Sequence, residues 1–354
     1  MALPTEELRE LAARIRAWAA DLGFQQVGIA TPALGQAGAR LREWLARGLH
    51  ADMHWLRERA SLITNPAAVV PGTLRVISAR MDYSRADAWP AQHIAAQPDR
   101  AWVARYALGR DYHRILRPRL QKLATRVSEA IGPFGYRVFV DSGPVMEKPL
   151  AEQAGLGWIG KHTNLVNTTA GSWFLLGEIL TDLPLPVDAP AGNHCGSCSA
   201  CISACPTGAI IAPYVLDAGR CISYLTIENK GPIPEALRPA LGNRVFGCDD
   251  CQLACPWNKF AQFSAEADFA PRQGMDRQSL VDLFGWDEAT WLECTAGSPI
   301  RRAGYGGWLR NLAVALGNAP SSPGVIAALE ARRGDPSALV REHVLWALRR
   351  HGRA

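Results

Sequence analysis

Eight of the chain's nine cysteines lie in or between two runs, Cys195-x2-Cys198-x2-Cys201-x3-Cys205-Pro206 and Cys248-x2-Cys251-x3-Cys255-Pro256, with Cys221 between them. A [4Fe–4S] cube needs one soft thiolate at each iron corner. A C-x2-C-x2-C-x3-C-P run gives three thiolates to one cube and its fourth to a second. The spacing therefore assigns Cys195, Cys198, Cys201 and Cys255 to one cluster, and Cys205, Cys248 and Cys251 to the other. Cys221 is the nearby thiol left to complete the second set, and its displacement reads as an insertion in one half of a bacterial two-cluster ferredoxin pattern. Cys294, beside Glu293, stands outside the scheme as a small buried apolar residue. The chemistry these residues could do is electron transfer at low potential.

Paired C-x2-C motifs also build structural zinc sites, but the third cysteine two residues further on and the proline after the last one are cluster features. A disulfide framework fits less well. Met1 to Glu10 already carries Glu6, Glu7, Arg9 and Glu10 and has no apolar core of a secretory signal. We expect a cytoplasmic protein with reduced thiols.

The elements that must position these cysteines occupy a chain of 354 residues, room for two or three domains at roughly 100–200 residues each. No apolar run reaches the ~20 residues that span a bilayer; Trp173 to Leu185 is broken by Glu178 and Asp182. The expected class is α+β, in three segments: mixed α and β over 1–185, ferredoxin-like over 186–265, helical over 266–354. The first segment predicts a helix over Thr5–Leu22, strands over Phe24–Ala30, Leu74–Tyr83, Tyr136–Val140 and Trp173–Thr181, a long helix from about His113 to Ile131, and another from Val145 to Ala154.

Charge is uneven. From Arg301 to the end, nine Arg stand against Glu330, Asp335 and Glu342, a net +6 in a chain whose total is +5. The same tail predicts three helices: Trp308 to Asn318, a second opened by Pro323, and a third opened by Pro336 with Leu339, Val340, Val344 and Leu348 inward. Paired helices of this length suggest a HEAT-type repeat packed on the rest of the protein. A basic helical face is either simply solvated or the seat of a polyanion; the asymmetry favours the polyanion, bound in a salt-sensitive way.

Two motifs mislead. Gly155-Leu-Gly157-Trp-Ile-Gly160 matches G-x-G-x-x-G and, with Lys161-His162, nearly a P-loop. Such loops follow a strand and open a helix, whereas this one follows the helical Glu147–Ala154 and leads into the strand-like His162–Asn167. Asp52-Met-His54 has the start of a cobalt-ligating D-x-H-x-x-G motif, but Arg57 stands at the glycine, so His54 reads as an ordinary helix residue. Asp141 is the strongest acid candidate, at the end of a strand where α/β sites collect ligands; burial would raise its pKa into the proton-donor range. Alternatively Asp141 or Ser142 caps the helix that Pro144 begins, with Glu147 at its positive end. Trp158 and Trp308 are the two tryptophans to weigh between core packing and base stacking.

Five further blocks, in order around the cysteines, resemble epoxyqueuosine reductases over nearly the whole chain: Arg105-Tyr-Ala-Leu-Gly109-Arg-Asp111-Tyr-His113, Val140-Asp141-Ser-Gly143-Pro144-Val-Met-Glu147, Gly157-Trp-Ile-Gly160-Lys161-His162-Thr-Asn164, Cys221-Ile-Ser-Tyr224-Leu-Thr-Ile-Glu228, and Gly297-Ser-Pro-Ile-Arg301-Arg302 through Trp308-Leu-Arg310-Asn311. His162, where the family's pattern has Asn, and Ala104, where some members carry Cys, depart from it. The resemblance implies a cobalamin-dependent enzyme, related to reductive dehalogenases, that converts epoxyqueuosine to queuosine at the tRNA wobble position. It implies an N-terminal cobalamin-binding domain, a base-off cobalamin without histidine on cobalt, and cob(I)alamin generated through the two clusters. It places the proton donor on Asp141. Corrin contacts fall on Met53, Ala104, Arg105, Tyr106, Asp111, His113, Asp141, Lys161, His162, Asn164 and Ser223. Anticodon stem-loop contacts fall on Arg301, Arg302, Arg310, Arg341, Arg349 and Arg350. The expected protein is a monomer served by an external low-potential donor. Two other readings are a corrinoid iron–sulfur enzyme acting on a small molecule and a plain electron carrier.

Overall fold

The computed structural model describes residues 4–353; the first residues of the Met1–Glu10 stretch and Ala354 lie outside them. Its strands are β1 (Gln26–Ala30), β2 (Arg75–Asp82), β3 (Trp102–Val103), β4 (Tyr136–Phe139), β5 (Trp158–Ile159), β6 (Leu165–Val166), β7 (Phe174–Thr181), β8 (Ile210–Ala212), β9 (Val215–Leu216) and β10 (Arg244–Phe246). Four of them form one antiparallel sheet in the order β1-β2-β7-β4. Period-two alternation sends Ile77, Ala79, Met81 and Ile179 to one face and Val76 and Leu180 to the other.

On the first face lie the helices Thr5–Asp21 and His113–Ile131. They bury Leu8, Leu11 and Ile15, and Leu116, Leu120 and Leu123, at the spacing of one helical stripe. On the second face the helix Glu147–Gln153 packs Leu150 and Ala151. With both faces covered, polar groups on the central strands must find partners inside. Ser78 Oγ donates to Glu178 Oε2 at 2.5 Å, and Arg80 pairs with Asp82 at 3.0 Å. Burial pushes the Glu178 carboxyl well up.

The sheet is antiparallel, so the crevice rule of parallel α/β sheets is not what places Asp141, which follows the edge strand β4. The glycine-rich stretch is no nucleotide loop either: β5 and β6 pair as a hairpin. Gly157 sits in it with φ +155°, where a Cβ would meet the Val166 carbonyl at 2.2 Å.

Residues of all three expected segments meet in one cluster, beside the separate core on the first face of the sheet. Val103, Leu225, Phe246, Leu283, Leu312 and Val344 belong to a single cluster, and β3 pairs in parallel with β10 across the sequence. The tail forms helices Tyr305–Asn318, Pro323–Ala331 and Ala338–Arg350. Pro323 opens the second as expected. The third starts after Pro336: Ser337 is its cap, accepting the Val340 N–H, and Val340, Val344 and Leu348 are buried while Leu339 is only partly so.

Arg310 overturns its expected place on an RNA-binding face, because it is 1% exposed. Its guanidinium donates to the carbonyls of Leu225, Asn229 and Gly231 at 2.7–2.8 Å and to Asn311 Oδ1. Desolvation lowers its pKa to about 10. A fork of donors matched to three carbonyls, one in the last turn of the helix Ile222–Ile227 and two in the loop after it, ties that helix to the tail. Trp158 and Trp308 are also interior, at 1% and 0% exposure, so neither is free to stack on a base.

Candidate active site

Cys195, Cys198, Cys201 and Cys255 line one small cavity together with Lys161, His162, Pro256 and Trp257, with Cys198 on its exposed side. Two short helices in mutual contact, Ala200–Ser203 and Asp250–Leu253, carry Cys201 and Cys251. Around Cys251, the charges of Cys221, Cys201 and Cys205 add to burial in pushing its thiol up, so three of the second set gather beside the first. Cys248, the fourth, faces Asp250 Oδ2 at 2.8 Å. Cys221 lies at the start of the helix Ile222–Ile227, where burial raises its thiol and the N–H groups of Tyr224 and Ser223 oppose that rise.

The donor set suits iron–sulfur chemistry: four cysteines round one cavity, three more gathered beside them, and N–H donors aimed at two of the sulfurs. Trp158 Nε1 donates to Cys195 Sγ at 3.4 Å, and the Ala209 N–H to Cys205 Sγ at 3.2 Å. Cys294 ends the helix Glu288–Cys294, away from both groups.

A cleft of about 260 Å³ opens beside the second group, and Cys248 is part of its wall. Tyr83, Tyr106, Tyr112 and Phe174 give it aromatic faces; Asn164, Ser172, Ser223, Gln252 and Lys148 give it hydrogen-bonding groups. Flat apolar walls with scattered hydrogen-bonding groups match a macrocycle rimmed by amides. Asp249 closes the interior, its carboxylate accepting the Arg105 N–H at 2.9 Å, and burial pushes it up to about 6.

Of the expected corrin contacts, Tyr106, Asn164 and Ser223 line this cleft. Met53 packs half-buried on the core that carries Tyr224, whose hydroxyl donates to Asp52 Oδ2 at 3.1 Å. His54 begins the short helix His54–Glu58, exposed. Ala104 is buried behind the wall, its N–H bonded to the Phe246 carbonyl. Lys161 and His162 belong to the cysteine cavity instead: Lys161 Nζ donates to the carbonyls of Gly196 and Cys198 at 2.7 and 2.8 Å. Asn164, two residues further round the hairpin turn, lines the cleft, a division that a linear motif does not reveal.

Asp141 stands at the cleft's rim in the left-handed region, φ +51°. Its Oδ2 accepts the Tyr112 hydroxyl at 2.7 Å and lies 3.7 Å from His113 Nε2. Asp111 Oδ1 holds the other His113 nitrogen, Nδ1, at 2.7 Å. Asp111 and His113 thus form a carboxylate–imidazole line ending on Asp141 rather than a wall of the cleft. The capping alternative fails, since the helix begins at Glu147 with Met146 as an uncapped start. So does protonation by burial, because the Asp141 side chain is 64% exposed.

The strongly perturbed acid beside it is Glu147, which the sequence reading used only as a charge near a helix end. Its Oε1 accepts the Asp141 N–H at 2.6 Å. Desolvation, and then the charge of Asp141, push it up to about 8 from 4.5. Because the folded value is the higher one, the folded state keeps this proton between about 4.5 and about 8 while the unfolded chain has lost it, so stability falls as pH rises through that window. Glu147→Gln keeps an oxygen for the Asp141 N–H and removes the titration. Urea midpoints of the purified protein should decline less steeply from about pH 5 to about pH 8 in this variant than in the parent; parallel declines would place the pH dependence elsewhere.

Lys148, also unremarked in the sequence, donates to the Thr163 carbonyl and Asn164 Oδ1, both at 3.1 Å. It lies on the accessible wall, yet enough protein surrounds its ammonium for desolvation to lower its pKa against the pull of Asp141 and Cys251.

The tail arginines divide. Arg302 pairs with Glu228 and is close enough to Asp141 and Tyr112 to feel their charges, which sets it near the cleft mouth. Arg301 donates to the Leu292 carbonyl, and Arg341 to the carbonyls of Asp335 and Pro336. Arg350 lies over Trp346, and Arg349 is exposed.

Comparison with known proteins agrees with this arrangement. Residues 194–258 match a family model described as a 4Fe-4S double cluster binding domain, and residues 64–142 one described as Epoxyqueuosine reductase QueG, DUF1730. The epoxyqueuosine reductase of Xanthomonas campestris is 60% identical over 346 residues, covering 97% of this chain and 97% of that protein. That of Escherichia coli is 51% identical over 342 residues, covering 97% and 90%. Among solved structures, an epoxyqueuosine reductase with a tRNA-Tyr epoxyqueuosine-modified stem loop superposes with a TM-score of 0.87 at 27% identity, over 97% of this chain and 90% of that one. A Bacillus subtilis epoxyqueuosine reductase, whose aspartate-bearing catalytic loop is swung out of the active site, gives 0.85 at 26% identity, over 96% and 90%. Identity this high, sustained from end to end and accompanied by the same fold in far more distant relatives, means that the chain belongs to the epoxyqueuosine reductase family of oxidoreductases.

Proposed function

We propose that this protein reduces epoxyqueuosine to queuosine at the wobble position of tRNA. The observation that carries the reading is one cleft with Cys248 in its wall and the Tyr112–Asp141 pair at its rim. Electrons and a proton can reach the same space from opposite sides. Removing an epoxide oxygen as water leaves a carbon–carbon double bond and consumes two electrons and two protons, so both supplies are required.

Two [4Fe–4S] clusters, on Cys195, Cys198, Cys201 and Cys255 and on Cys205, Cys221, Cys248 and Cys251, carry electrons inward from an external low-potential donor. Tyr106, Asn164 and Ser223, with Met53 and Arg105 nearby, would hold a base-off cobalamin, which when bound supplies the strongly reducing cobalt that opening an epoxide demands. Asp141 gives the proton to the leaving oxygen. Tyr112 orients its carboxyl, and His113, held by Asp111, stands where it can restore the proton. The swung-out aspartate loop of the Bacillus subtilis relative supports a mobile acid at the rim.

The tail, read as a HEAT-type repeat, grips the anticodon stem-loop of a monomeric enzyme; the relative bound to a tRNA stem loop supports the choice of partner. Arg349→Ala should lower the slope of log affinity against log salt by about 0.7–0.9, one phosphate contact's share. An unchanged slope would remove Arg349 from the interface. Deleting the tail is not a clean alternative, because Trp308, Leu312 and Val344 are core.

Anaerobic protein reconstituted with iron, sulfide and cobalamin, given a strong reductant and an epoxyqueuosine-containing stem-loop, should release queuosine, read as the loss of one oxygen by mass spectrometry. Full cofactor loading without that loss, or turnover of halogenated small molecules alone, would overturn the proposal.

A further inference from the structure

His162 follows β5, in the turn of the hairpin, and is 4% exposed. Its Nδ1 accepts the backbone N–H of Asn164 at 3.1 Å. A ring nitrogen that accepts a hydrogen bond carries no proton of its own, so in the neutral imidazole the hydrogen sits on Nε2. Burial, followed by the charge of Lys148, keeps the ring neutral by lowering its pKa to about 4. Nε2 is buried and meets no acceptor among the described residues, a deficit that native interiors rarely leave unexplained.

The same ring lines the cavity formed by Cys195, Cys198, Cys201 and Cys255. Sulfur is what those four residues present to that space. Trp158 Nε1 already donates to Cys195 Sγ there, at 3.4 Å, and Lys161 clamps the loop carbonyls of Gly196 and Cys198.

We propose that His162 donates its Nε2–H to a sulfur of the cluster on Cys195, Cys198, Cys201 and Cys255, and so raises that cluster's reduction potential. Reduction adds negative charge that spreads onto the sulfurs, and an N–H···S bond strengthens as that charge builds, favouring the reduced form. His162 is then a redox-positioning residue, not a corrin contact. No proton changes hands. The inference rests on the four-iron reading of this cavity.

The two ring nitrogens can be separated by substitution. Asn places an oxygen near the position of Nδ1, keeping a partner for the Asn164 N–H, but does not reach the cluster. Gln places an amide near the position of Nε2. Iron content and redox titration followed by electron paramagnetic resonance on the full-length, anaerobically reconstituted protein read the result. Parental protein without about eight irons per chain would sink the cluster reading itself, whatever the variants do.

With the clusters present, His162→Asn should move one of the two cluster potentials to more negative values by about 59 mV, the one-electron equivalent of about a tenfold loss in the reduction constant. His162→Gln should stay near the parent. If His162→Asn leaves both potentials unmoved, or Asn and Gln shift the same cluster equally, the assignment is overturned. Loss of the cluster from Asn with retention in Gln supports a required donor; loss from both overturns it.

Discussion

Asp141→Asn should slow reduction of epoxyqueuosine-containing stem-loop by about 10²–10⁴-fold, the usual contribution of a positioned general acid, while iron and cobalamin contents stay parental. The substitution is close to isosteric. An Asn oxygen can still accept the Tyr112 hydroxyl, which the carboxylate now accepts at 2.7 Å, and the backbone N–H to Glu147 is untouched. Asn also tolerates the left-handed φ of +51° that this position adopts. What disappears is the exchangeable proton. Single-turnover assays with saturating stem-loop separate chemistry from binding, and a variant that loads both cofactors and turns over at the parental rate would remove Asp141 from the mechanism.

Cys221→Ser should cut iron from about eight to about four per chain, the content of one [4Fe–4S] cluster instead of two, and abolish turnover. Cys294→Ser should keep all the iron. The contrast matters because Cys221 is remote in sequence from both runs and was assigned only as the nearby thiol left over. In the fold it sits with Cys205 and Cys251, at the first turn of a helix whose Tyr224 and Ser223 N–H groups bond its sulfur. Parental iron in Cys221→Ser together with loss in Cys294→Ser would require a different wiring. Element analysis and the two cluster signals in the reduced protein provide the measurement.

What could be read from the residues was mostly local. Helix His113–Ile131 came out with the bounds that its apolar stripe implied, and the central strands came out within two residues of their β-rich runs. The cysteine grouping was legible because ligand chemistry restricts both residue type and spacing. The failures share a cause: they depend on which chain segments meet. Arg310 looked like surface charge, and nothing near it in sequence announces three unpaired carbonyls at Leu225, Asn229 and Gly231. Lys161 and His162 shared a block with Asn164, but a two-residue-per-strand hairpin sends them to another cavity. Asp141 was credited with burial when the strongly desolvated acid is the half-buried Glu147, because a strand end does not reveal how far its loop projects.

The Arg310 fork limits how this protein can be recombined. Its donors sit in the tail and its acceptors in the last turn of the helix Ile222–Ile227 and the loop just after it, 79 to 85 positions earlier. A chimera joined between those points with a relative whose loop differs would bury an uncompensated cation and three bare carbonyls. The tail proposed to grip RNA is therefore not an exchangeable cassette, and swaps intended to retarget it must carry the stretch from about Cys221 to Asn311 as one inherited block.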